Sequence, residues 1–158
     1  MDKDPANIIY TQTGVEGLDV IAPLWRKLNE HHMERASKFR THFKQMTWEK
    51  RKPELVEKAQ NGSLLVHLAK VNDTHIGYCV STLSAKKEAE LESIYIEKEY
   101  RKHHIGDKFM KTALAWMDAH GAVKKIIGVA VGNEEALGFY EKYGFYPRVH
   151  VLQQADTK

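Results

Sequence analysis

Glu90-Leu91-Glu92-Ser93-Ile94-Tyr95-Ile96, followed by Arg101-Lys102-His103-His104-Ile105-Gly106, decides how this chain is to be read. The first run alternates apolar and polar residues and is β-branched and aromatic towards its end, so it reads as a strand. Beyond it, Ile105, Phe109, Ala113, Trp116 and Met117 mark one face of a helix that Gly121 ends. The loop between them aims the free backbone N–H groups of the helix's first turn at whatever lies above the strand. That geometry binds anions, phosphates above all. The side chains of Arg101 and Lys102 add positive charge to it.

Upstream, Ile8-Ile9-Tyr10-Thr11 reads as a first strand. Leu18, Ile21, Ala22, Trp25 and Leu28 fall at helical spacing up to about His32, with Pro23 either starting or kinking that helix. Glu30 to Lys52 predicts a second helix with loose ends, and Pro53 is placed to start another over Glu54 to Gln60. The period then changes. Leu64 to Val71 and His75 to Leu83 are strands joined by a turn at Asn72-Asp73-Thr74, and Ser84 to Lys87 is a second turn leading into Glu90–Ile96. Downstream, Ile126 to Val131 is a near-continuous apolar run, as in a strand covered on both faces. Glu134 to Tyr143 predicts a short helix with Asn133 at its N-cap, and Val149 to Gln153 a last strand. The result is a mixed α/β domain, antiparallel in its first part and with a βαβ crossover in its second.

Composition bounds the reading. The 158 residues are expected to form one domain. No signal peptide is evident, and no apolar run approaches the ~20 residues a membrane span needs. Cys79 is the single cysteine, so no disulfide framework is expected, and the cytoplasm is the expected location. A net charge of +3 permits anionic ligands without arguing for nucleic acid. The nine histidines have no spacing of a known metal site, and no metal is expected.

From Glu90 to Phe145 the chain resembles the GNAT superfamily of N-acetyltransferases. The stretch quoted above is similar to that family's strand, polar connector and Arg-x-x-Gly-x-Gly helix opening, with His104 where the first glycine usually stands. Val131-Gly132-Asn133-Glu134-Glu135-Ala136-Leu137-Gly138-Phe139-Tyr140-Glu141-Lys142-Tyr143-Gly144-Phe145 resembles its Asn-x-x-Ala-x-x-Phe-Tyr-x-x-x-Gly-Phe segment without a gap. The resemblance implies a central, mostly antiparallel twisted sheet flanked by helices, in the order β-α-α-β-β-β-α-β-α-β. It also implies transfer of an acetyl group from acetyl-CoA to an amine by direct attack. The acceptor, a small molecule or a protein amine, is not specified, and a homodimer is compatible with it. A non-catalytic acyl-CoA-binding or regulatory domain on the same fold is the alternative.

Four roles follow from the resemblance and its chemistry. Backbone N–H groups from Lys102, His103, His104, Ile105, Gly106 and Asp107, with Arg101, are expected to hold the pyrophosphate. The loop is expected to keep right-handed geometry at His104, and the Asp107 side chain to point away. The backbone of Ile94, Tyr95 and Ile96 is expected to pair with the pantetheine arm, with the Ile96 N–H towards the thioester oxygen. Glu92, or Glu90 two residues earlier on the same strand face, is the expected base. Tyr140 is expected to serve the leaving thiolate, and Asn133 to contact the pantetheine. Phe39, Phe43 and Trp48 are candidates for an acceptor pocket.

Overall fold

In the computed structural model, which describes residues 7–155, every strand lies in one sheet. The strands are β1 (Ile8–Thr13), β2 (Gly62–Val71), β3 (Thr74–Ser84), β4 (Glu88–Ile96) and β5 (Lys124–Ile127), and they lie side by side in sequence order. The first four pair antiparallel, and β5 joins β4 in parallel. The parallel pair needs a crossover, supplied by helix α4 (Ile105–Ala119). The other helices are α1 (Ala22–Arg35), α2 (Arg40–Gln45), α3 (Trp48–Gln60) and α5 (Glu135–Glu141).

Strand alternation distributes the core over two faces. Val66 and Leu68 of β2, with Tyr78 and Val80 of β3, meet Leu18, Ile21, Leu24 and Trp25 around α1, and Trp48 and Leu55 of α3. On the opposite face Ala69, Ile76, Cys79, Leu83 and Leu91 meet Ile105, Phe109, Met110, Ala113 and Met117 of α4. The aromatic residues of α5 pack at the border of this second cluster. Among the described residues no helix is long and apolar enough to cross a membrane.

Four expectations need correcting. The single helix expected over Glu30 to Lys52 is broken into the end of α1, all of α2 and the start of α3. The Asn29 amide holds the break, donating to the Phe43 and Met46 carbonyls at 2.7 and 3.1 Å. Pro53 lies inside α3 rather than at its start. It forfeits only the bond to the Glu49 carbonyl, close to the helix beginning, where one lost bond is tolerated.

The strand expected at Ile126 to Val131 instead occupies Lys124–Ile127, and Ile126 is 43% exposed rather than covered. The last strand, expected at Val149 to Gln153, is absent, and Val151 and Leu152 are exposed. A β-branched run has strand propensity, but a strand exists only where a neighbour completes its ladder.

Phe109 is 1% exposed and lies edge-on to Tyr10 beneath Gly77. Phe109→Ala should therefore cost about 3–5 kcal/mol. Urea unfolding measures it, and a loss under about 1 kcal/mol would mean that the core closes over the gap.

Candidate active site

The site begins with an irregularity in β4. Val80 of β3 faces Ser93, but the next residue, Ser81, faces Leu91, which leaves Glu92 as the extra residue of a β-bulge. On its other side β4 pairs with β5 only over Glu88–Leu91. From Glu92 onward the two strands part. Glu97 donates its N–H to the Ile76 carbonyl on the β3 side. By alternation, Ile94 and Ile96 then turn their backbone polar groups to the open edge, where no strand receives them.

The bulged Glu92 is not a free base. Its side chain is 1% exposed. One oxygen accepts from Arg51 at 2.9 Å, and the other accepts from Lys58 and Thr82, each at 2.6 Å. Burial alone would raise its pKa, yet the Lys58 and Thr82 hydrogen bonds and the two cations hold it below the usual carboxylate range. Glu90 reaches the same ammonium, at 3.3 Å. The two carboxylates do share a region, as expected, but they share it with α3 cations that hold Glu92 ionised. This corrects the expectation of Glu92 as proton acceptor. Arg51 and Lys58 stand seven apart on α3 and so on one helical face, a signal that was present in the sequence.

At the far end of β4 a short 3₁₀ turn, Lys98–Tyr100, leads to the anion loop. Lys102 and His104 both adopt left-handed geometry, with φ of 71° and 62°. The right-handed expectation for His104 is thus overturned. The chain must pass from the 3₁₀ turn into α4 within the four residues Arg101 to His104, and that requirement outweighs a local cost of about 1–2 kcal/mol for a side chain in this region. His104 is exposed, so its ring does not fill the loop. The first helical bond is Lys108 to His104, at 3.0 Å. Among the described residues the N–H groups of Lys102 through Asp107 donate to nothing, which makes a nest of free donors. Arg101 donates its Nε to the Ile96 carbonyl at 2.8 Å and lies over the Tyr95 ring. It therefore ties the loop to β4. Asp107 turns away as expected. It accepts from the Tyr143 hydroxyl and pairs with Lys111, and these hydrogen bonds hold its pKa low.

Helix α5 closes the remaining side. Asn133 makes no capping bond with its side chain, since the N-cap of α5 is Glu134. The predicted capping role is therefore not used. The Glu134 carboxylate instead accepts from the Gly132 N–H at 2.9 Å. Gly132 has φ of 103°, and a Cβ there would stand 2.5 Å from the Arg35 carbonyl oxygen, so only glycine fits against the end of α1. Phe139 packs on Gly106, whose added Cβ would lie 3.2 Å from the ring. Tyr140 is half-buried, with no hydrogen bond to its hydroxyl among the described residues. Burial, and then the neighbouring Cys79, pushes its pKa up to about 12.

One face of α1 faces this gap. Lys27, His31 and Arg35 recur at helical spacing. Lys27 pairs with Glu97 at 2.6 Å, while Arg35 and His31 approach Glu135 at 3.3 and 4.0 Å. Of the acceptor-pocket candidates, Trp48 is core: it is 5% exposed, stacks on Trp25 and donates to Asp19. Phe43 is half-buried against His32 and His42, and Phe39 is half-buried just before α2.

This splayed sheet with a free helix N-terminus beside it has counterparts. The family model of the GNAT acetyltransferases matches residues 25–145. The chain belongs to the GNAT acetyltransferase family. A GNAT structure from Ralstonia eutropha superposes with a TM-score of 0.73 at 11% identity, covering 93% of this chain and 97% of that one. The PaiA N-acetyltransferase of Thermoplasma acidophilum, solved with coenzyme A, gives 0.68 at 24% identity and covers 94% of both chains. These likenesses show the fold. The mycothiol acetyltransferase of Corynebacterium glutamicum is 42% identical over 59 residues, 35% of this chain. The chain spans 20% of the length of that relative.

Glu92→Ala should cost about 3–5 kcal/mol at neutral pH, because it leaves two cations without their buried anion. Its folded pKa lies below the unfolded value of about 4.3, so the contribution is present above that pH and is lost as pH falls through the folded value. The stability gap between wild type and variant should therefore narrow in acid. Urea titrations show this, and a gap unchanged down to about pH 3 would assign the loss to packing.

Proposed function

We propose that this protein transfers the acetyl group of acetyl-CoA to an amine by direct attack. The observation that carries the reading is the open edge of β4 next to the unpaired N–H groups of Lys102 through Asp107. An extended chain that ends in a pyrophosphate fits that combination. The edge offers a ladder, and the nest neutralises phosphate without a metal. Bound acetyl-CoA supplies the activated acyl group.

In this reading the chain's own groups divide the work. Ile94 and Ile96 pair with the pantetheine arm, and the Ile96 N–H polarises the thioester oxygen. A donor so placed is worth about 2.7–4 kcal/mol. The Asn133 amide, not spent on a cap, bonds the same arm. Tyr140 donates to the departing sulfur. With a pKa of about 12 it keeps its proton throughout the neutral range, so it stabilises the thiolate by hydrogen bonding rather than by complete transfer. Glu92 holds the bulge, and with it the width of the gap. The acceptor is a primary amine of a small molecule or of a protein, and the cytoplasm is the proposed location.

Coenzyme A at about one hundred times its Kd should stabilise the fold by about 2.7 kcal/mol. No response at millimolar coenzyme A removes the proposal. Thiol release from acetyl-CoA with a panel of amines then separates an enzyme from a binding domain. Tyr140→Phe should lower turnover by about 10–100-fold, the worth of one hydrogen bond to a charged group, and leave coenzyme A affinity near normal. Unchanged turnover would reduce Tyr140 to packing.

A further inference from the structure

An attacking amine arrives protonated near neutrality. The β4 carboxylates do not offer a place for that proton, since Glu92 is saturated by Arg51, Lys58 and Thr82 and Glu90 is paired with Lys58. We propose that His31, which stands beside Glu135, takes it. This inference rests on the acetyl-transfer reading above and supplies the base that the reading lacks.

The placement follows from the two anchors of α1. At one end of its inner face Lys27 is tied to Glu97, immediately beyond β4. At the other end Arg35 is tied to Glu135, and its carbonyl abuts Gly132 ahead of α5. His31 lies one turn from each of these residues on the same face. It therefore lies between the Lys27–Glu97 pair just beyond β4 and the Arg35–Glu135 pair at the start of α5. Its Nε2 stands 4.0 Å from a Glu135 oxygen, and its side chain is 28% exposed. The ring is thus partly buried yet reachable from solvent.

The charged and titratable groups around it come from every neighbouring element. Lys27, His32 and Arg35 belong to α1. Glu135 belongs to α5, and Glu134 precedes it with its carboxylate engaged by Gly132. Glu97 and Tyr95 stand at the end of β4, joined by a 3.1 Å hydrogen bond. His42 lies on α2, with Phe43 between it and His32. Glu135 is the anion nearest His31, and the same carboxylate oxygen lies closer to Arg35.

The step balances without a further reactant. The acceptor ammonium loses one proton to the imidazole. The nitrogen lone pair forms the C–N bond to the thioester carbonyl carbon, and the C–S bond breaks. The sulfur leaves with the bonding pair, stabilised by Tyr140, and takes up the amine's second proton as the thiol. The imidazolium returns its proton to water.

The test is thiol release as a function of pH for wild type, His31→Gln and His31→Asn, with coenzyme A affinity measured alongside. Both His31 variants should lose about 10²-fold in kcat/KM near neutrality. The deficit should shrink towards the pKa of the amine, where free amine no longer needs a base, and coenzyme A affinity should stay unchanged. Activity of either folded His31 variant within about threefold of wild type, or a constant deficit at all pH values, overturns the proposal. A wild-type protein that neither binds coenzyme A nor releases thiol would instead sink the underlying reading.

Discussion

A buried carboxylate at a β-bulge is the constraint on which the rest of the structure depends. Glu92 is the extra residue of β4, and it meets two cations from α3 and a hydroxyl from β3. An unpaired ion at such depth would be expensive, and this one is compensated on both oxygens. The clamp therefore holds α3 against the sheet and keeps the bulge in place. The β4–β5 ladder ends at Leu91, the residue before the bulge, so the sheet opens where this contact sits.

Everything functional borders that opening. The loop from Arg101 to His104 turns the chain back over the end of β4, at the cost of left-handed geometry on two residues with side chains. The Arg101 hydrogen bond to the Ile96 carbonyl and the Phe139 contact with Gly106 hold the turn from both sides. Strain of this kind persists where surrounding contacts determine it, and here it leaves a row of backbone donors aimed at one place. Helix α1 completes the enclosure through ion pairs at both of its anchors. These pairs are partly exposed, so their worth lies in orientation more than in stability.

Much of the architecture was legible. Apolar periodicity in α1 and α4, alternation in β2, β3 and β4, and the turn residues at Asn72-Asp73 all carried their elements correctly. The family followed from the two segments around Arg101 and Asn133. Less was legible wherever the outcome depended on a distant partner. Val149 to Gln153 has the composition of a strand and no neighbour to pair with. Asn133 stands at a capping position, but the Glu134 carboxylate bonds the preceding Gly132 N–H and the cap passes to Glu134. Glu92 reads as a solvent-facing or catalytic carboxylate until Arg51 is brought beside it from forty-one positions away.

The amino-acid sequence by itself determined most of the element types, the strand–loop–helix junction around Arg101, and the family, because each of these is written in short-range spacing. The tertiary structure alone decided the bulge, the ionised state of Glu92, the left-handed turn at His104 and the position of His31 beside Glu135. Register, burial and ion pairing are set by residues that meet only after folding, and it is burial and pairing that determine which carboxylate or imidazole is free to accept a proton.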